Sequence, residues 1–340
     1  MWMKAKLRVG ICSLQHDHIW GELRHWQSHP DVEIVAAGES NPHQREKAIA
    51  RGLPKVYESW QELLEKETLD IVQATSDNAT CADITEAAMH KGAHVISEKP
   101  MAATLDQANR MVAASEKYGR LLMVNWPHVW SPGYQEWERS ILRGDIGRLI
   151  HLKRRNAHAG PREIGCDPAF VEWLYDAQRN GAGALMDYCC YGSAISALLL
   201  GLPNRVTGIR GVLAKEYEVP DDNAIILLQY DKAFSQVEAS WTEVASPPGP
   251  MTVAYGTLGS IALVEDQVVL HLTGQAPVNV VAPALEFPLR NGPEYFVHCI
   301  QNGIVPQGCS SAKISRDAQE ILEAGLRSAN TGQHVAIPVV

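Results

Sequence analysis

The chain is 340 residues long and carries 30 Lys and Arg against 39 Asp and Glu, a formal net charge of -9. That length accommodates two domains of about 150 residues each, and the acidic balance leaves no basic face for a phosphate backbone, which argues against nucleic acid as a partner. The seven cysteines follow no metal-ligand spacing, and the adjacent Cys189 and Cys190 cannot bond to each other without strain, so they read as small reduced side chains.

The opening residues, Met1 to Lys6, run straight into a strand without the apolar core of a leader, and no later segment offers about 18 uninterrupted apolar residues. A soluble cytoplasmic protein with no membrane contact is expected. Leu7 to Cys12 is a short apolar strand, and about Asp17 to Gln27 is an amphipathic helix. A strand turning directly into a helix opens a nucleotide-binding βαβ unit, whose turn ordinarily carries glycines so that the backbone can approach a pyrophosphate. Here the turn is Ser13-Leu14-Gln15-His16-Asp17-His18, without a glycine. Contact with an anion then falls to the amides at the helix start and to Ser13 or His16. His16 and His18 also have the spacing of a metal-ligand pair, but no third ligand lies nearby in sequence, and no metal is expected.

Val32 to Glu39 is the second strand, ending in an acid where adenosine ribose hydroxyls are held; a carboxylate there favours NAD over NADP. Ser40 and Arg45 follow closely and tolerate a 2′-phosphate, which keeps NADP open. Leu69 to Thr75 is a buried strand, Ser76-Asp77-Asn78 its turn and helix cap, and a helix runs from about Ala79 to His90. The stretch Gly92 to Met101 then places Val95-Ile96 in a buried strand that delivers Glu98-Lys99-Pro100 to its carboxyl edge, where ligands of open α/β sheets bind. The proline fixes the local backbone and is compatible with a cis peptide. By itself the tripeptide also suits a surface ion pair. A helix from Leu105 to Lys117, opened by Thr104, and a strand from Leu121 to Asn125 complete a parallel sheet with helices on both faces.

Past Asn125 the pattern changes. Trp126-Pro127-His128-Val129-Trp130 is an aromatic cluster, Ser131-Pro132 opens a helix to about Arg143, and Gly147 to Asn156 reads as a strand. Strands near Asn223–Tyr230, Phe234–Trp241, Met251–Gly256, Ser260–Val264 and Gln267–Leu272 follow without helices between them, which predicts a large, mostly antiparallel open sheet. One helix, about Ser311 to Ala329, returns near the end, and Ala245 to Pro250 is a Pro-rich loop. The expected architecture is an α/β Rossmann domain over residues 1–125 followed by an α+β domain over 126–340. Between them in importance stands Gly181 to Tyr191, where Asp187 and Tyr191 lie four apart at the start of an apolar helix and share one face. An acid and a phenol so placed suit a polyol site, and they equally suit a buried Asp satisfying helix-end amides beside a core Tyr.

Together, Glu98-Lys99-Pro100, the run Gly181 to Asp187, and Thr75-Ser76-Asp77-Asn78 resemble the glucose-fructose oxidoreductase, inositol dehydrogenase and rhizopine-catabolism (Gfo/Idh/MocA) family over nearly the whole chain. The resemblance implies an NAD(P)-dependent oxidoreductase acting on a hydroxyl or carbonyl of a sugar, sugar derivative or cyclitol, and a homodimer or homotetramer built on the open sheet. It places the cofactor against Ser13, His16, Glu39, Ser40, Thr75, Ser76, Asn78, Glu98 and Lys99. Lys99 would touch both the nicotinamide ribose and the reacting hydroxyl, and Asp187 would hold the substrate. Most members have histidine where Tyr191 stands, and Cys81 replaces another common histidine.

Oxidation of a carbinol needs a base within hydrogen-bond reach of its hydroxyl. A phenol with a pKa of about 10 serves poorly unless a cation assists, and Lys99 is the cation the sequence offers. Lys99, Asp187 and Tyr191 are thus the expected catalytic set, converging on one nicotinamide ring. Trp126, His128, Trp130 and His158 form the expected substrate wall, with His158 as a second candidate proton carrier; the tryptophans also suit plain packing. Two other functions share the fold: a glycoside-modifying enzyme using transiently reduced bound NAD, and a non-catalytic nucleotide sensor.

Overall fold

A computed structural model describes residues 5–245 and 251–339. Met1 to Lys4 and most of the Pro-rich loop, residues 246–250, lie outside the described residues. The chain forms two compact units.

The first unit takes residues up to Asn125 together with Asp167–Trp173 and Phe287–Arg316. Its strands β1 (Leu7–Cys12), β2 (Val32–Gly38), β3 (Val56–Tyr57), β4 (Ile71–Ala74), β5 (His94–Glu98) and β6 (Leu122–Asn125) form one sheet in the order β3-β2-β1-β4-β5-β6. All its pairs are parallel. The order reverses between β1 and β4, which opens the crevice where this class of sheet takes its ligand. Helices α1 (Ile19–Ser28), α2 (Pro42–Ala50), α3 (Trp60–Lys66), α4 (Cys81–His90) and α5 (Leu105–Tyr118) connect the strands. Near-continuous apolar runs such as Val95-Ile96 are fully buried, as a sheet covered on both faces requires. Thr104 and Gln107 form a capping box on α5, and Gly119 closes that helix at φ 61.

The second unit holds α6 (Pro132–Arg143), most of α7 (Pro168–Leu174) lying instead with the first, then α8 (Ala177–Asn180) and α9 (Ala184–Leu200). Its strands are β7 (Leu149–Ala157), β8 (Arg205–Gly211), β9 (Asn223–Gln229), β10 (Phe234–Ser240), β11 (Thr252–Gly256), β12 (Gly259–Val264), β13 (Gln267–Leu272), β14 (Val278–Val280) and β15 (Val335–Ala336). They form a nine-stranded sheet in the order β14-β13-β12-β11-β7-β10-β9-β8-β15. Only β7 and β10 pair in parallel. Helix α9 covers one face closely enough that a Cβ on Gly192 would come within 2.5 Å of Val237. The other face is open and carries Ile209, Leu227, Phe234 and Tyr255, with Ile209 65% exposed. Two helices close the chain, α10 (Gly292–Asn302) and α11 (Ala312–Thr331).

Several elements depart from the sequence reading. The expected C-terminal helix is present as α11, and a second one, α10, precedes it, capped by Asn291 and ended by Gly303 at φ 64, signals that the reading passed over. Asp77 does not cap a helix: its carboxylate accepts from the Thr80 amide in a preceding turn, and α4 starts later. The stretch Ala177–Leu200 has the length and mean hydropathy of a membrane span, but 78% of its window is buried inside the protein, as in a core helix.

The start of α9 depends on a residue the sequence did not single out. Asp221 is fully buried and accepts from the amides of Gly183 (3.0 Å) and Leu185 (2.8 Å) while pairing with Arg210 at 2.9 Å. We expect Asp221→Ala to cost about 3 kcal/mol, since it strands two amides and a guanidinium. Urea unfolding checks this, and a loss below about 1 kcal/mol would show the cap to be dispensable.

Candidate functional site

In the first unit the glycine-free turn after β1 is held by Glu39. Its carboxylate accepts from the Leu14 amide at 2.6 Å, the Ser13 hydroxyl at 3.1 Å and the Asn41 amide at 2.7 Å. Ser13 takes the left-handed φ of 70 that a glycine would otherwise supply. Thr75 donates its hydroxyl to the Ser13 carbonyl at 2.6 Å, tying the turn to the end of β4. Beside these groups lies a cavity of about 240 Å³ lined by Ser13, Gln15, Glu39, Ser40, Trp60 and Ser76, among others. Hydroxyls, an amide, a carboxylate and one indole are the lining that an adenosine half takes. Close approach is built in at Gly38, where a Cβ would lie 2.4 Å from the Ser59 carbonyl oxygen. The residues present therefore fit a dinucleotide. Glu39 does so with most of its acceptor capacity already used, and Arg45 donates to the Glu39 and Ser40 carbonyls.

Glu98 is the second centre of this edge. Buried at the end of β5, it lies 3.0 Å from His18 Nδ1 and accepts from Asn125 Nδ2 at 3.0 Å and from the Lys99 amide at 3.3 Å. Lys99 is buried and precedes Pro100 through a cis peptide. Asn78 is buried in the turn after β4, where Ser76 donates to the Asp77 carbonyl. His16 is not offered to an anion. Its Nδ1 accepts from the His18 amide, its ring hydrogen-bonds the Lys99 backbone, and it packs on Phe170 at 4.8 Å. Burial first, then the charges of His18 and Lys99, hold its pKa well below the usual range.

The third ligand that sequence spacing could not supply comes from β5: donor atoms of His16, His18 and Glu98 all lie within 4.8 Å of one another. The chemistry of this set argues for a brace rather than a metal centre. His16 has both ring functions engaged, and His18 faces the Glu98 oxygen with its Nδ1.

In the second unit, α9 brings Asp187 and Tyr191 to one side. Asp187 accepts from the Trp241 indole at 3.2 Å, and the helix-end amides go to Asp221 instead. The Tyr191 ring lies 5.8 Å from Trp126 and 5.3 Å from His128. His128 in turn meets Tyr134 edge-on at 4.4 Å. Burial, then the charge of Arg154, keeps the His128 imidazole neutral by holding its pKa well below the usual range. Trp130 is half-buried at the end of the turn Pro127–Trp130. His158 stands further along, edge-on to Tyr188 at 4.9 Å. Its Nδ1 accepts from the Gly160 amide at 2.8 Å. The sequence reading missed Arg154, which lies over the Tyr191 ring at 6.0 Å.

Residues 9–126 match the oxidoreductase family with an NAD-binding Rossmann fold, Gfo/Idh/MocA, and residues 134–262 match the C-terminal domain of the same family. The chain belongs to this family. The resemblance drawn from the motifs is thereby confirmed, as are the Rossmann fold followed by a large, mostly antiparallel sheet and the dependence on NAD(P). Among Gfo/Idh/MocA relatives, scyllo-inositol 2-dehydrogenase (NAD+) of Bacillus subtilis is 27% identical over 89% of this chain and 87% of its own. D-xylose 1-dehydrogenase (NADP+) 2 of Haloferax volcanii is 28% identical, and the match spans only about half of either chain, 51% of each. An oxidoreductase from Agrobacterium radiobacter, crystallised with NAD+, L-tartaric acid and magnesium, shares the fold with a TM-score of 0.82 at 19% identity, over 98% of this chain and 99% of that one.

Beneath Glu98 lies a further group that sequence reasoning did not find. Glu22 on α1 has its carboxyl pushed up to about 8, chiefly by burial and then by the charge of Glu98, with a hydrogen bond from Asn125 opposing. A folded-state pKa raised this way stabilises the fold fully below the unfolded value and loses that contribution as pH rises through about 8. Between about pH 5 and pH 8 stability is therefore expected to fall, by up to ~1.4 kcal/mol per pH unit. Glu22→Gln should flatten that slope in denaturant melts run across the range; parallel slopes for both proteins would show that Glu22 ionises normally.

Proposed function

We propose that the protein oxidises or reduces a secondary hydroxyl or carbonyl of a sugar, sugar derivative or cyclitol, with NAD preferred to NADP. The observation that carries this reading is Asp187. A buried carboxylate that leaves the helix-end amides to Asp221, held by an indole and four residues from a phenol, suits substrate hydroxyls better than structural duty. Ser13, Glu39, Ser40, Thr75, Ser76, Asn78 and Glu98 would hold the dinucleotide, and the Glu39 carboxylate at the cavity opposes a 2′-phosphate.

Bound NAD would supply the nicotinamide carbon that takes the hydride when a carbinol is oxidised. Lys99, fixed through its neighbour Glu98, donates to the reacting oxygen. Tyr191 takes the hydroxyl proton as its phenolate, the form that a cation beside its ring favours, and is left as the neutral phenol. Asp187 accepts from a second hydroxyl and so sets which carbon reacts. Trp126 and Trp130 supply apolar faces for the ring, and neutral His128 is a hydrogen-bond partner rather than a proton carrier.

Two further features belong to this reading. None of the seven cysteines is in a disulfide, which suits a reducing cytoplasm. The open sheet face, with Phe234 57% and Ile209 65% exposed, suits a second copy of this chain in a homodimer or homotetramer.

Steady-state assays with a panel of aldoses and inositols test the chemistry. Tyr191→Phe should lower kcat by about 10²- to 10⁴-fold with NAD affinity retained, and NADP should give less than about a tenth of the kcat/KM seen with NAD. Unchanged turnover in the variant would remove Tyr191 from the proton step. For the assembly, Phe234→Asp should convert the oligomer to monomers in sedimentation, and an unaltered mass would acquit this face.

A further inference from the structure

We propose that the substrate is a polyhydroxy acid, an aldonic or uronic acid, whose carboxylate is bound by Arg154. This deepens the dehydrogenase reading and rests on it for turnover, although the binding claim stands on observations confined to the second unit.

Side chains alternate along β7, and Leu152, Arg154 and Asn156 point to the face covered by α9, whereas Arg155 points to the open face. Arg155 has two carboxylates, Glu238 at 3.0 Å and Glu243 at 2.9 Å. Arg154 has none among the described residues. Its Nε donates to Asn156 Oδ1 at 2.7 Å and one terminal nitrogen donates to the Thr252 hydroxyl, which accounts for two of five N–H groups. The groups closest to its charge include Tyr191, Tyr134, Cys190 and Tyr188, three phenols and a thiol. The result is a partly buried cation beside phenols, with no carboxylate among the described residues to pair it, an arrangement that an anion would complete.

A second observation points the same way. Both ring nitrogens of His128 are buried and without a hydrogen-bond partner among the described residues, and that ring lies 5.3 Å from Tyr191. Groups of this kind are tolerated where a ligand supplies the missing bonds. The missing ligand therefore carries both an anionic end, for the guanidinium, and hydroxyls, for His128, Asp187 and Tyr191. A guanidinium fork matches a carboxylate bidentately, and one cation amid neutral groups balances a monoanion better than a phosphate dianion.

The test is calorimetric titration of the NAD-loaded protein with D-galacturonate and D-gluconate against D-galactose and D-glucose, with glucose 6-phosphate as a separate arm. The acids should bind at least about tenfold more tightly than the neutral sugars. Arg154→Met should abolish that preference and Arg154→Lys should keep part of it, with NAD affinity and melting temperature reporting that each variant is folded. Equal binding of acids and neutral sugars by the parent protein, which needs no variant, would overturn the proposal. So would a preference that survives in Arg154→Met, or tighter binding of the phosphate. Preferred binding of acids without any reduction of NAD would leave the carboxylate site standing and remove the dehydrogenase reading. Efficient turnover of neutral sugars without preference would do the reverse.

Discussion

The Glu98 carboxylate is the constraint on which the first unit's ligand edge depends. It is an acceptor-only group buried where three chain segments end, and it collects donors from each: His18 from the turn after β1, Asn125 from the end of β6 and the Lys99 amide from its own strand. Burying a carboxylate is expensive, and only several well-aligned donors offset it. The same requirement fixes the Lys99 backbone and stiffens a turn that has no glycines to shape it. A second carboxyl, Glu22, shares this region and keeps its proton, chiefly because it is buried and secondarily because the charge of Glu98 lies close by.

Loss of the glycine pattern has a traceable compensation. Glycines serve in such turns by reaching positive φ and by letting a phosphate close in. Ser13 reaches the positive φ anyway, and the strain this implies is countered by three bonds to Glu39 and one from Thr75. One acid thus braces the turn and lines the cavity beside it. On the proposed reading a substitution of Glu39 aimed at cofactor choice will also disturb the turn.

What could be read from the sequence follows the range of the interactions involved. Strands of the first sheet were legible because they are continuous apolar runs, and α5 because Thr104 and Gln107 form a local cap. Short pairings such as Val56–Tyr57 and Val335–Ala336 carry no periodicity and exist only because a neighbouring strand offers its edge. In the candidate site, Glu98, Lys99, Asp187 and Tyr191 announced themselves through spacing. Asp221 and Glu22 did not, since each acts across the fold, on amides 36 and more positions away or on a carboxylate from another strand. His16 shows another limit of spacing: expected at an anion from its place in the turn, it is buried against Phe170, with its Nδ1 accepting from the His18 amide.

Arg154 shows why a substrate pocket is harder to read than a cofactor edge. The sequence Lys153-Arg154-Arg155-Asn156 looks like one basic patch, yet strand alternation sends its members to different faces with different fates. On the open face Arg155 and Lys153 meet Glu238, so charge is neutralised within the protein and the pairs contribute little beyond register. On the covered face the neighbours are phenols and a thiol, and the charge is left for something else to balance. On the proposed reading the guanidinium is also a useful neighbour for Tyr191, because a phenol that is to accept a proton near neutral pH needs a positive field. An incoming monoanion would weaken that field while it neutralises the cation. The two demands are reconciled if the carboxylate sits on the far side of the guanidinium plane from the phenol, where its two oxygens take the remaining N–H groups and the ring face stays in contact with the cation.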